Sequence, residues 1–257
     1  MHAIVLHRRD YKESDQIITV YTREQGRLDL LARGVKKIVS NNTAQLEPFS
    51  VVRIEITPGK EFQYLTKVYG VEYFSDIRGD LLKIAIASFV INALYRLLQL
   101  QQTDERVFDL IYAFLQHVES SQDQQSLLFS LDVFFLKLMC VFGFEPVTDR
   151  CVLSGVLLTD FEKEKLFGFY FLGGGIVCPQ EFELKKKIGE HVIAVTRPQL
   201  FLLNLFLEKG FTAFDMGNFD KKIAHELHRL VYEFTLYHNE KEVVDWSRAM
   251  EVFGEGG

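Results

Sequence analysis

The stretch 16-QIITVYTREQGRLDLLARG-34 decides how the first part of this chain folds. In 27-RLDLLARG-34 the side chains alternate: Leu28, Leu30 and Ala32 fall on one face, and Arg27, Asp29, Leu31 and Arg33 on the other. That period of two is the signature of a half-buried strand. QIITVYTR (16–23) is β-branched, and EQG turns one strand into the next. Upstream, AIVLHRR (3–9) reads as a third strand, joined through the polar turn DYKESD. Downstream, the polar segment VKKIVSNNTAQLEP (35–48) leads to FSVVRIEIT (49–57), the turn 58-PGK-60 and FQYLTKVYGVEYF (62–74). Five short strands with one long insert between the third and fourth fit a small barrel of the OB type. Periodicity by itself leaves an SH3-like barrel open.

After residue 78 the period changes to that of helices. In DLLKIAIASFVINALYRLLQL (80–100), Leu81, Ile84, Ala85, Ser88, Ile91, Asn92, Tyr95 and Leu98 form one stripe, expected to face the core. ERVFDLIYAFLQHVES (105–120) follows, and after the polar break SSQDQQ a third helix covers 126–143, stopped at Gly143 with Pro146 beyond. Residues 147–190 read as irregular. Arg197-Pro198 opens a helix through Glu208, because proline suits a first turn. Asn218 is placed to cap a last helix through about His238. The expected architecture is α+β and multidomain: an OB barrel over 1–77, then a helical domain over 78–257 with an insert at 147–190.

The 257 residues suffice for two modest domains. The run 126-SLLFSLDVFFLKLMCVFGF-144 is apolar enough to suggest a membrane span, but Asp132 and Lys137 lie inside it and are costly in lipid, so a buried bundle helix is expected. Three cysteines make no secreted framework, and the start carries no signal core, which points to the cytoplasm. The formal net charge of -6 is uneven: residues 1–70 hold 11 Lys and Arg against 8 Asp and Glu, and the acid excess lies in the remainder. A mildly basic module joined to an acidic one often separates polyanion binding from another task. No P-loop, nucleophile elbow or clustered carboxylate pair suggests an enzyme. His225 and His228 are spaced i, i+3, not the i, i+4 of a zincin, and read as a polar helix edge.

Two segments look like halves of a zinc knuckle. In 146-PVTDRCVLSGV-156, Cys151 is followed by Ser154 where a second cysteine would complete the pair, and in 173-GGGIVCPQEF-182, Cys178 is followed by Glu181. A structural zinc site takes four nitrogen or sulfur ligands in a tetrahedron. Two thiols with Glu181, and Asp149 or His191, fall short of that. The expectation is a metal-free module that buries both cysteines, with Phe161, Leu166, Phe169 and Phe171 available to hold it.

The order of elements, the opening AIVLHRRDYKESDQIITVYTREQGRLDLLARGVKK with LEPFS, and the middle runs GFEPVTDRCVLSG and GGGIVC together resemble the RecO family of bacterial recombination mediators. That resemblance implies an OB fold followed by a helical domain, with a zinc module in many members that is degenerate here. It also implies binding of single- and double-stranded DNA, annealing of complementary strands, and recombinase loading together with RecR, all without catalytic residues or a cofactor. Many members hold the C-terminal tail of single-stranded DNA-binding protein in a helical groove. Leu202, Phe206, Lys222 and Arg229 are the residues here that offer an apolar pocket and basic groups for such a tail.

The residues nominate a DNA surface on the barrel. Arg33, Lys36 and Lys37 leave the third strand, Arg8, Arg9, Arg23 and Arg27 come from neighbouring strand ends, and Arg53, Lys60 and Lys67 add to the groove. Tyr11, Tyr21, Phe62, Tyr64 and Tyr69 offer faces for bases, half of them expected in the core. Two other readings stay open: an interaction scaffold with weak DNA binding, favoured by the loop 40-SNNTAQ-45 and the acidic balance, and an RNA-binding OB protein.

Overall fold

The computed structural model of the chain describes residues 1–35, 44–161, 164–216, 220–239 and 246. Strands β1 (His2–Asp10), β2 (Gln16–Thr22), β3 (Gly26–Ala32), β4 (Val51–Thr57) and β5 (Gln63–Glu72) close into a barrel in the order β1-β2-β3-β5-β4. All neighbours are antiparallel except β3 and β5, which run parallel through Leu30↔Gln63 and Leu31↔Tyr64. This order and that parallel joint are those of an OB barrel, which resolves the choice that periodicity left open. The alternation in β3 holds: Leu28, Leu30 and Ala32 join Val5, Ile18, Val20 and Ile54 in the barrel core. Leu31, on the other face, is buried as well.

Tyr21 is not a platform for bases. Its ring is fully buried, its hydroxyl donates to the Asp104 carbonyl at 2.9 Å, and the Asp104 amide donates back at 3.2 Å. Burial pushes the phenol up to about 12. A folded-state value above the unfolded one means that the contribution is complete below about pH 10 and is lost as pH rises towards 12. Wild type should therefore lose about 2 kcal/mol more than Tyr21→Phe between pH 9 and 12 in urea melts; parallel curves for the two proteins would contradict this.

A short helix α1 (Ser75–Gly79) leads to α2 (Leu81–Leu97), capped by the Asp80 carboxylate, which accepts from the Leu82 and Lys83 amides. Helix α3 (Glu105–Ser120) starts at Asp104 and buries Val107, Phe108, Ile111, Phe114, Leu115 and Val118, one face of an amphipathic helix. Helix α2 departs from the expected stripe. It buries Lys83, Ile86, Ala87, Val90, Ile91, Ala93 and Leu94, while Leu81 is 82% exposed. The helix is apolar nearly all round, so sequence pattern cannot choose its face. Lys83 is buried because its ammonium donates to the Glu119 carbonyl at 2.7 Å.

Contacts group the chain into two compact units, Met1–Leu128 and Phe129–Ser247, so α1 to α3 cluster with the barrel rather than with the later helices. Helix α4 (Gln124–Val141) is long and apolar enough to cross a membrane, and most of its residues after Gln125 are buried in the fold. Its two charges are used within the second unit. Asp132 accepts from His228 Nδ1 at 2.7 Å and from the Trp246 indole at 2.6 Å, and Lys137 donates to the Leu207 carbonyl.

Residues 147–190, expected to be irregular, contain regular structure. Strands β6 (Leu166–Tyr170) and β7 (Gly175–Val177) pair, helix α5 (Pro179–Lys187) follows, and β8 (Val192–Thr196) completes a sheet of order β7-β6-β8. Phe169 and Phe171 are buried as expected, whereas Leu166 is exposed. Helix α6 (Arg197–Lys209) opens with a capping box between Thr196 and Gln199. Helix α7 (Lys221–His238) is capped by Asp220, two residues beyond the expected Asn218, which lies outside the described residues. His225 is exposed and His228 buried against Asp132, so the two histidines do not share an edge.

Candidate nucleic-acid interface

Three chain segments meet at one end of the barrel. The β1–β2 turn is closed by hydrogen bonds from the Tyr11 and Lys12 amides to the Asp15 carbonyl, at 3.1 and 3.4 Å. The Asp15 carboxylate accepts from the Gly34 amide at 2.8 Å, which ties that turn to the exit of β3. Gly34 has a φ of 65°, a left-handed conformation that favours glycine and turns the chain there. The β4–β5 segment reaches the same place through Phe62, which meets Tyr11, and Tyr64, which meets Arg33, and its own turn is tight. A side chain at Gly59 would put its Cβ 2.2 Å from the Phe62 carbonyl and 2.4 Å from the Tyr64 ring.

The result is a cluster of rings with cations beside them. Tyr11 and Phe62 meet edge to face at 5.6 Å, and the Lys12 ammonium sits 5.3 Å from the Tyr11 centroid. The Arg33 guanidinium lies 4.3 Å from the Tyr64 centroid and also donates to its hydroxyl at 3.0 Å. Arg9 and Lys60 are exposed and have no ion-pair partner among the described residues. Lys36 and Lys37, which follow in sequence, lie outside the described residues. Rings that stack on bases beside Lys and Arg that meet phosphates are what a single strand requires.

The other nominated cations are engaged elsewhere. Arg23 pairs with Asp109 and Glu105 of α3 and lies over Phe108. Arg27 donates to the Tyr95 and Leu98 carbonyls at 2.6 and 3.0 Å and stacks on Tyr95 at 4.2 Å. Both strap α2 and α3 to the barrel rather than face a groove. Arg8 is paired with Glu47 at 2.6 Å. Arg53 and Lys67 sit on the outer face of β4 and β5, where Arg53 lies over Tyr69 and Lys67 meets Glu55 at 3.0 Å. The bond with Glu55 raises the Lys67 ammonium above its ordinary value. The residue that sequence reasoning passed over is Lys12. Its signal was its place in the β1–β2 turn, between an exposed tyrosine and a short strand.

A family model described as Recombination protein O N terminal matches residues 1–74, and one described as Recombination protein O C terminal matches residues 78–246. The chain belongs to the RecO family. A protein named DNA repair protein RecO from Caldanaerobacter subterraneus subsp. tengcongensis is 29% identical over 251 residues, covering 97% of this chain and 96% of its own. Proteins of the same name from Listeria welshimeri and a Thermoanaerobacter species are 28% and 30% identical, covering 85% and 68% of this chain and 80% and 68% of their own.

In this RecO chain, Cys151 and Cys178 are buried together in a cluster with Tyr170, Val177 and Phe182. Ser154 and Glu181 stand at the sequence positions that a second cysteine would fill, and Asp149 and His191 are engaged with Arg150 and Glu233. Among the described residues no group of three His, Cys, Asp or Glu is placed to hold a metal ion. The donor set therefore does not fit a structural zinc.

The residues nominated for a partner's tail divide. Leu202 and Phe206 point into the core of the second unit, because the i, i+4 pattern that picks them out is that of the buried face of α6. Lys222 and Arg229 are exposed, and Arg229 is paired with Glu233 at 2.7 Å. The apolar side chain that α6 presents at its surface is Phe201, 70% exposed.

Proposed function

We propose that this protein is a non-enzymatic DNA-binding recombination mediator in bacterial DNA repair. It binds single and double strands, anneals complementary strands, and loads recombinase together with RecR, in the cytoplasm and without a metal or other cofactor. Family membership supports the role. The observation that carries the site is the group Tyr11, Phe62 and Tyr64 with Lys12 and Arg33 at the barrel mouth. Asp10, Glu13 and Glu61 belong to the same turns, so stacking contributes more to affinity than charge does. The tail of single-stranded DNA-binding protein remains a proposed partner, on a surface other than one lined by Leu202 and Phe206.

The second reading is a scaffold of the same pathway with weak DNA binding. It is favoured by one observation: Arg23 and Arg27 serve the fold. Anisotropy of a labelled oligo-dT strand across a salt series separates the two readings. Each phosphate contact adds about 0.7 to the log–log salt slope of a single strand, so a slope near 2 to 3 is expected for the mediator. Phe62→Ala should weaken binding about tenfold, the loss of one stacked base, and Arg33/Lys36/Lys37→Ala should lower both affinity and slope. No binding at low salt would leave the scaffold.

A further inference from the structure

Within the first unit a cavity of about 610 Å³ opens between β1, the residues before β4, α1 and α2. Its size is that of a small-molecule site. Ile84, Ser88 and Asn92 of α2 form one wall, so part of the stripe that the sequence marks for burial lines this space, while Leu98 of the same stripe is buried. Phe49 lines another side with a φ of 73°, in the left-handed region that a phenylalanine adopts only when its surroundings hold it there.

Arg78 reaches this cavity half-buried. Its Nε donates to the Tyr73 carbonyl and one terminal nitrogen to the Ser50 hydroxyl, both at 2.9 Å. A guanidinium carries five N–H donors, so its remaining arm has capacity left. It makes no close ion pair among the described residues: Glu47, the carboxylate lining the cavity, is paired with Arg8, and Glu47 and Glu119 act on Arg78 only at longer range. Burial lowers its pKa, and the Glu47 and Glu119 carboxylates partly offset this. A partly desolvated guanidinium with one terminal nitrogen uncommitted is complementary to a phosphate oxygen. Beside it, a hydroxyl and a carboxamide can meet the polar edge of a base or sugar, and Phe49 and Ile84 give an apolar bed.

We propose that this cavity binds a nucleoside monophosphate, its phosphate on Arg78, its body against Phe49 and Ile84, and its polar edge read by Ser88 and Asn92. The same chemistry arrives either as a free mononucleotide or as the 5′-terminal nucleotide of a strand. The site is separate from the barrel mouth, and the inference stands whether or not that mouth binds DNA.

The test is calorimetric titration of the full chain with dTMP and dAMP, with thymidine as the phosphate-free control. Thymidine should bind at least tenfold more weakly than dTMP. Arg78→Gln should weaken both nucleotides at least tenfold, and so should Ser88→Leu, which fills the wall without touching the hydrogen bonds of Arg78. Phe62→Ala, at the barrel mouth, should leave both unchanged. Because Arg78 also ties Tyr73 to Ser50, Ser88→Leu carries the test if Arg78→Gln fails to fold. A 5′-phosphorylated oligo-dT that outcompetes its 5′-hydroxyl twin identifies the strand end as the source, and equal competition identifies the free nucleotide. No binding of either mononucleotide at millimolar concentration, or binding that Ser88→Leu does not alter, would overturn the proposal.

Discussion

Asp132→Ala should destabilise the second unit by about 4 kcal/mol, a large fraction of the ~5–15 kcal/mol that holds a typical domain folded. Asp132 is a carboxylate in the middle of an apolar helix, fully buried, and accepts from His228 on α7 and from Trp246. Alanine would leave two buried donors without this acceptor, at about 1–3 kcal/mol each, and a small void in addition. Asp132→Asn keeps an acceptor oxygen and should lose about half as much. The chain has one tryptophan, and it is the residue at stake: Trp246 is buried, stacked on Phe135 at 4.2 Å. Its emission therefore reports the unit directly. Urea melts followed at that emission should show an early transition in the alanine variant. A midpoint within error of wild type would mean that the carboxylate does not hold this cluster together.

Gly26→Ala should damage the first unit by about 2–5 kcal/mol. Two costs add. Gly26 has a φ of 67°, which strains any residue with a Cβ, and that Cβ would lie 2.1 Å from the Gln102 carbonyl oxygen and 2.6 Å from its carbon. Backbone cannot yield as a side-chain tip does. The segment that would be pushed away is the one whose Gln101 amide donates to the Arg27 carbonyl at 2.9 Å. The expected result is a lowered melting midpoint, with the α2–α3 connection becoming a preferred site of limited proteolysis. Gly79→Ala is the control, since its Cβ would meet nothing within 4 Å and it should change little. Equal effects of the two substitutions would remove the steric explanation.

The barrel was legible because its strands are short, alternating and bounded by turn residues; β3 was read with its core face correct at Leu28, Leu30 and Ala32. Helix α3 was read over its full length, Glu105–Ser120, for the same reason, a clean apolar face. Where residues are apolar on every side, as in α2, or where strands run three to five residues through glycines and phenylalanines, as in β6 and β7, periodicity has nothing to count. The site was half legible. Arg33, Phe62 and Tyr64 were nominated, and they come together because turns tie them. Arg23 and Arg27 were nominated with them, although they serve the fold. An arginine at a strand end carries no mark of whether solvent or a helix carbonyl will meet it.

The parallel joint of β3 with β5, and the seam of β1 with β4 at His2↔Arg53, join stretches far apart in the chain. As the polypeptide leaves the ribosome, the first three strands must wait for the fifth before the wall can close. At about 5–20 residues per second that delay is several seconds. During it, the free edges of β1 and β3 are templates for pairing with other chains. Each helix that follows forms from near neighbours and needs no distant partner to complete its own backbone hydrogen bonds. Solubility during expression should therefore depend on translation speed across residues 27–72.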